Sequence, residues 1–258
     1  MITRCYKQAQ YLPEAVESVV AQTFGDWELI IVDDGSPDDT VLVAQALIDR
    51  HPDRRIRLLR GPNRGLSGAL NAGIEVALGR YILPLDADDM IAPTMLEETV
   101  ALLESRPDVA IAYTDLQQFG EASALVRAPD FSALMLPRAN QLNYCSLFRR
   151  EVWDAVGGYN PNMIWGYEDW DFWIGAAERG YRARRIPEAL FMYRCRQAGM
   201  YARALSHDAV LRRQLARNHP QSFTLARRMT RQVTGATRAA TSSVSRLVRT
   251  SGLDIRHG

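Results

Sequence analysis

Four short apolar runs, separated by stretches of helical periodicity, constrain this chain more than any other feature. Residues 27–32, 56–59, 81–85 and 109–114 have strand length and are largely apolar, as expected of strands buried on both faces. Between them, Leu12-Pro13-Glu14 opens a helix in which Val16, Val19 and Val20 recur at helical spacing, with proline tolerated in the first turn. Asp38-Asp39-Thr40 caps a second helix to about residue 50, a Gly-Pro-Asn-Arg-Gly turn leads into a third over 65–78, and 93–105 is a fourth. Alternation of this kind builds βαβ units, so an α/β fold with a mainly parallel central sheet is expected over residues 1–115.

Two of the runs end in acid. Leu29-Ile30-Ile31-Val32 is followed by Asp33-Asp34-Gly35-Ser36, and Tyr81-Ile82-Leu83-Pro84-Leu85 by Asp86-Ala87-Asp88-Asp89. Ligands of open α/β sheets collect at the carboxyl ends of the strands. Aspartates one residue apart can offer oxygens to a hard divalent cation that also grips a diphosphate. Either cluster alone has a plainer reading as a solvated turn, since Asp and Gly are ordinary turn residues; the pair on successive βα units is harder to dismiss.

After residue 115 the pattern loosens over 116–141. It resumes with a strand at 144–148, a helix at 150–156, the Gly157-Gly158 turn and a helix from 167 to about 179. That last helix opens on Trp165-Gly166-Tyr167-Glu168-Asp169-Trp170-Asp171-Phe172-Trp173. Acid in a first helical turn is favoured by the free backbone N–H groups there. The aromatic residues could stack on a sugar or fill the core, and the three-residue spacing of Trp170 and Trp173 favours packing. A donor half over 1–115 and an acceptor half over 116–200 is the division this suggests.

With 258 residues, 47% of them hydrophobic, the chain has the material for a proper core. Its net charge of +1 hides an asymmetry: residues 201–258 hold 11 Arg against two Asp, leaving 20 basic and 28 acidic groups before them. Cys5, Cys145 and Cys195 are odd in number, widely spaced and without metal-ligand pattern, which suits a reducing, cytoplasmic compartment. No apolar run approaches the ~20 residues of a membrane span, and no signal peptide is evident. On a helical wheel Ala226, Met229, Val233, Ala236, Ala240, Val244 and Leu247 share one face, with Arg227, Arg228, Arg231, Arg238, Arg246 and Arg249 opposite. The 201–258 extension is therefore expected to be a basic helical tail. It could lie on the inner face of an anionic membrane, each arginine contributing roughly 1 kcal/mol, or pack on the domain. Nucleic acid is a poor match, because the acidic body repels phosphate.

The order Gln22-Thr23-Phe24, Asp26-Trp27-Glu28 into Val32-Asp33-Asp34-Gly35-Ser36, then Asp86-Ala87-Asp88-Asp89, Gly157-Gly158-Tyr159 and Glu168-Asp169 resembles glycosyltransferase family 2, inverting enzymes of the GT-A fold. The resemblance runs from about residue 5 to residue 194. It implies that Asp34 holds the nucleotide base, Asp86 lies near the ribose, Asp88 ligates Mn²⁺ or Mg²⁺ on the diphosphate, and Asp169 is the catalytic base. The substrate-binding set expected is Asp34, Asp86, Glu168 and Trp165. The activity implied is transfer of a sugar from a nucleotide-sugar, a UDP-sugar above all, to a carbohydrate or lipid-linked acceptor in surface polysaccharide assembly. The Gln-x-x-Arg-Trp signature of processive synthases is absent after Arg194, which favours one sugar per event. The alternatives are a non-catalytic nucleotide-sugar-binding module, against which the intact aspartates speak, and a sugar nucleotidyltransferase, whose Gly-rich phosphate loop is missing before Asp33.

The chain departs from the family pattern in several places. Its first strand is short, Met1 to Cys5, and is expected to weaken the sheet and the base pocket. Arg4 and Lys7 stand where Pro or Thr and Asn are usual, Leu70 where many relatives carry Arg, and Arg196 where many carry His.

Overall fold

The computed structural model describes residues 1–196 and 204–225. Strand β1 (Ile2–Cys5) is buried along its whole length and pairs in parallel with β2 (Leu29–Asp33) on one side and β5 (Pro84–Asp86) on the other. The short strand is therefore the centre of the first sheet, a four-stranded parallel array in the order β3-β2-β1-β5 with β3 spanning Ile56–Arg60. Along β2 the two faces alternate. Ile30 and Val32 pack with Leu70 and Ile74 of α3 (Gly65–Val76), while Leu29 and Ile31 pack with Leu12 and Val16 of α1 (Leu12–Val20) and Leu47 of α2 (Thr40–Arg50). Helices on both faces explain why β2 is apolar at successive positions rather than at alternate ones. Leu70 is thus a core residue.

A second sheet runs β4 (Tyr81–Ile82), β9 (Leu147–Arg149), β7 (Ile111–Gly120), β10 (Ala183–Cys195), β6 (Met90–Ile91), with β8 (Leu125–Val126) on β7. The single strand expected over 81–85 is two strands separated by Leu83, one in each sheet. The loosening expected after Thr114 is also corrected: β7 continues to Gly120, paired with β10 as far as Cys195. The signal was hidden because the far half of β7, Leu116-Gln117-Gln118-Phe119, is only half-buried and carries no apolar run. Strand β10 was not foreseen from the sequence, although Ala189-Leu190-Phe191-Met192-Tyr193 is an apolar run of strand length. It carries Pro187, which cannot donate to a ladder, and its register shifts between Ile186 and Phe191 absorb the break.

Several residues of the family-like motifs hold connections. The Gln22 side chain donates to the Ser18 and Ala92 carbonyls and accepts from Leu96 N, joining α1 to α4 (Met95–Ser105). Glu28 accepts from Leu78 N (2.6 Å) and Gly79 N (3.0 Å), closing the end of α3. At the head of α2 the working cap is Asp38, which accepts from Thr40 Oγ1 at 2.6 Å, while Asp39 makes no side-chain cap bond. Asn71 of α3 accepts from Tyr159 N and Trp153 Nε1 and donates to Tyr159 O, docking the Gly157-Gly158 turn that follows α5 (Arg150–Val156).

Past residue 200, α7 (Asp208–Asn218) buries Leu211 and Leu215 in the same core layer as Trp170, Phe172 and Trp173. It therefore packs against the helix that carries the third acidic cluster, α6 (Glu168–Glu178). The arginine-rich stripe between Ala226 and Arg249 lies outside the described residues. Among the described residues no helix is long and apolar enough to cross a membrane.

One contact between these parts titrates. His219 is 8% exposed, with Nε2 3.2 Å from Asp171 Oδ1 and Nδ1 2.9 Å from Glu178 Oε2. Burial works to lower its pKa, but the two carboxylates outweigh burial and raise it. A raised histidine pKa stabilises the fold fully below the unfolded value of about 6.5 and is lost as pH rises through the higher folded value. His219→Gln should therefore cost about 2 kcal/mol in urea melts at pH 5.5 and distinctly less at pH 9. An equal cost at both pH values would show that the imidazole is neutral in the fold.

Candidate active site

The carboxyl ends of β1, β2 and β5 open into a cavity of about 540 Å³ lined by Arg4, Asp34, Asn63, Asp86, Asp88 and Arg196 among others. Asp34, one residue past β2, accepts from Arg64 N (2.7 Å) and Gly65 N (2.9 Å). It thereby fixes the loop before α3 as part of the cavity wall. The neighbouring Gly35 has φ +73°, and a Cβ there would meet Asn63 N at 3.0 Å. Only glycine suits that turn.

Parallel register sets Arg4 opposite Asp86. Arg4 Nε donates to Asp86 Oδ1 at 2.5 Å and Nη2 to Oδ2 at 3.0 Å, while Nη1 donates to Glu168 Oε1 at 2.7 Å. All three side chains are buried. Next along the chain, Asp88 pairs with Arg196, and Asp89 accepts from the Tyr144 hydroxyl (2.6 Å) and Arg194 N (2.7 Å). Burial, then the charge of Asp86, raises the Asp88 carboxyl. Burial and both neighbouring aspartates push Asp89 well above the usual range.

Oxygens of Asp86, Asp88 and Asp89 lie within 4.8 Å of one another. Those raised pKa values express a surplus of negative charge in a poorly solvated place, which a divalent ion would relieve. The donor set, all carboxylate oxygen, suits Mg²⁺ or Mn²⁺. Asp86 and Asp89 are committed to Arg4 and to Tyr144 with the β10 backbone. Asp88, with its side chain 14% exposed and partnered by a side chain at the cavity edge, is the member best placed to lead.

A second cavity, about 490 Å³, lies on the α6 side and is lined by Asn140, Leu142, Tyr167, Asp169, Trp170 and Arg212 among others. Asp169 sits in the first turn of α6, and Asn140 Nδ2 donates to its Oδ2 at 2.9 Å. Burial, then the charge of Glu168, pushes the Asp169 carboxyl up to about 7. An acid poised there is half ionised near neutrality, the condition that suits a general base. The helix head is reached through Gly166 (φ +120°) and Tyr167 (φ +61°). A non-glycine residue in the left-handed region costs energy, of order 1 kcal/mol or more.

Of the residues expected at the site, Asp34, Asp86 and Asp88 share the first cavity, and Glu168 and Asp169 share the second. Trp165 does not line either of them. It is 43% exposed and stacks on the His207 ring at 4.6 Å. Trp170 and Trp173 are core residues. Sequence reasoning missed Arg4, Tyr144 and Asn140 as site residues. For Arg4 the signal was available, since a charged side chain inside a buried strand requires partners. For the other two there was none.

The family described as Glycosyl transferase family 2 matches residues 1–154. A chondroitin synthase of Escherichia coli is 31% identical over 181 residues, which make up 68% of this chain and 26% of that protein. Among solved structures, residues 1–349 of Staphylococcus aureus TarS in complex with UDP-GlcNAc superpose with a TM-score of 0.65 at 17% identity, covering 78% of this chain and 59% of that one. A mannosyltransferase from Pyrobaculum calidifontis, in complex with GDP-Man and Mn²⁺, superposes with a TM-score of 0.63 at 21% identity, covering 95% and 79%. These likenesses show the fold, the GT-A arrangement with a parallel central sheet.

Proposed function

The chain belongs to glycosyl transferase family 2, and from that premise we propose that it moves one sugar from a nucleotide-sugar, a UDP-sugar, to a hydroxyl of a carbohydrate or lipid-linked acceptor, with inversion. The observation that carries this reading is the pair of cavities that share Arg4 and Asp86 as a common wall, with the carboxylate triad on one side and Asp169 on the other. A single displacement needs that division, because the leaving diphosphate and the attacking hydroxyl must stand on opposite faces of the sugar. No second carboxylate nucleophile, as retention would require, is needed in this scheme.

In this mechanism Asp34 holds the loop against which the base rests, and Asp86 faces the ribose with the lone pairs that its bonds to Arg4 leave over. Asp88, with Asp86 and Asp89 around it, would hold Mn²⁺ or Mg²⁺. That ion, when bound, supplies Lewis-acid stabilisation to the charge developing on the diphosphate, so the leaving group needs no proton. Asp169 takes the proton of the acceptor hydroxyl as its oxygen attacks, with Asn140 fixing the orientation of the carboxylate. In this reading the enzyme works on the cytoplasmic side, with the basic segment 221–250 as its peripheral membrane contact.

The test is a panel of nucleotide-sugars with and without Mn²⁺. A donor present at about a hundred times its Kd should stabilise the fold by about 2.7 kcal/mol, and only with the metal. NMR of the product should then show the opposite anomeric configuration to the donor. A retained configuration, or no metal-dependent stabilisation by any donor, overturns the proposal.

A further inference from the structure

Arg4 and Asp86 line both cavities, so the guanidinium occupies the wall across which the sugar would pass. It is 8% exposed and makes a two-bond fork to Asp86 of β5 and a third bond to Glu168 of α6. We infer that Arg4 is a positioning residue of the transfer step: it ties the donor-side carboxylate of Asp86 to the helix that carries Asp169, and supplies the positive charge that keeps that base competent. This rests on the reading of the two cavities as donor and acceptor sites.

The geometry supports a role beyond ordinary core pairing. A guanidinium is planar and permanently charged, so it fixes the direction of both carboxylates at once. Burial alone disfavours the Arg4 charge, and Asp86 and Glu168 more than restore it. Without Arg4, Asp86 and Glu168 would be two uncompensated carboxylates in a poorly solvated wall, with Asp169 directly after Glu168.

Several groups face Asp169 from the elements packed around it. Glu168 on its own helix raises it; Arg4 from β1 lowers it, as do Asn140 and the Trp170 N–H through their hydrogen bonds. Tyr159, after the Gly157-Gly158 turn, has its hydroxyl pushed up by burial first and then by Asp169 and Glu168. Arg212 and Asp208 of α7 line the same cavity, and Arg212 lies over the Trp170 ring at 4.9 Å. After burial and Glu168, which raise Asp169, and the hydrogen bonds from Trp170 N and Asn140, which lower it, the Arg4 charge lowers it further.

The experiment follows the Asp169 carboxyl by carbon NMR from pH 5 to 9 in the full chain, its resonance identified by its loss in Asp169→Asn. In Arg4→Met the midpoint should move upward by about one pH unit, and Arg4→Lys, which keeps the charge, should return it to near the native value. Glu168→Gln should move the midpoint downward, and the Arg4→Met/Glu168→Gln pair should fall between the two single variants. If Arg4→Met fails to fold, Arg4→Gln, neutral but still a hydrogen-bond donor, carries the same test. A midpoint unmoved in a folded, charge-free Arg4 variant overturns the inference. The measurement needs no turnover. A shifted midpoint in a chain that transfers no sugar would leave the coupling of Arg4 to Asp169 standing but remove the enzymatic reading and with it any part for Arg4 in transfer, whereas an unshifted midpoint in an active enzyme would remove the role of Arg4 alone.

Discussion

Asp169→Asn should lower kcat by at least ~10²-fold while leaving UDP affinity in the presence of Mn²⁺ essentially at the native level. The amide keeps the size of the side chain and its place in the first turn of α6, but it cannot accept a proton. Donor affinity is spared because Asp169 does not line the cavity that holds Asp34, Asp86 and Asp88. The pH dependence has a definite sign. With the Asp169 carboxyl pushed up to about 7, the competent ionised form accumulates above that value, so native turnover should climb with pH through about 7 and then level. The same shift predicts a trade in stability. A carboxyl whose folded pKa exceeds its unfolded value of about 3.9 costs stability as pH rises between the two values, and the cost is complete above the folded pKa. Asp169→Asn should therefore melt higher than the native chain at pH 8 and lose that advantage near pH 4. Near-native turnover in the variant would move the role of base to Glu168 or Asp171.

Asp88→Asn is expected to abolish the metal-dependent part of donor binding, a loss of at least about 10²-fold in UDP affinity with Mn²⁺ by calorimetry. Groups that merely orient metal ligands already cost 10–100-fold when removed, and Asp88 is the carboxylate of the triad best placed to bind the ion directly. Its loss should leave the fold intact, because the bonds that organise this turn belong to its neighbours. The Tyr144 hydroxyl accepts from Asp86 N and donates to Asp89, and Arg194 N donates to Asp89. Residual UDP binding should then be the same with and without Mn²⁺. Unchanged affinity with the metal would show that the ion, if it binds, is held elsewhere.

Much of this was legible in the chain before any coordinates. Residues 27–32 read as a strand buried on both faces, because a run of that length, largely apolar and ending in acid, suits a sheet covered by helices on both sides. The clusters at Asp33-Asp34 and Asp86 to Asp89 fall at carboxyl ends of parallel strands, where α/β sheets place their ligands. By contrast, β10 was not foreseen. Arg184, Arg185 and Glu188 break up its first half, Pro187 interrupts it, and its partner β7 is far away in sequence. Only the run Ala189 to Tyr193 has the texture of a strand, and nothing local to it says which strand it pairs with. Residues past 200 were expected to be helical, but the sequence left open whether they lie on a membrane or on the domain; for α7, Leu211 and Leu215 bind it into the core.

The candidate site divides along the same line. Local sequence determined which carboxylates would exist and at which turn each would sit, because strand ends, glycine turns and helix heads are decided by neighbouring residues. Only the tertiary structure decided their partners. Arg4 meets Asp86 and Glu168 across 82 and 164 residues of chain, and Asp88 meets Arg196 across 108. Charges so remote in sequence meet only once the chain has folded, and it is the desolvation that follows, together with the company each carboxylate keeps, that raises Asp169 toward neutrality and lifts the Asp88 carboxyl beside Asp86.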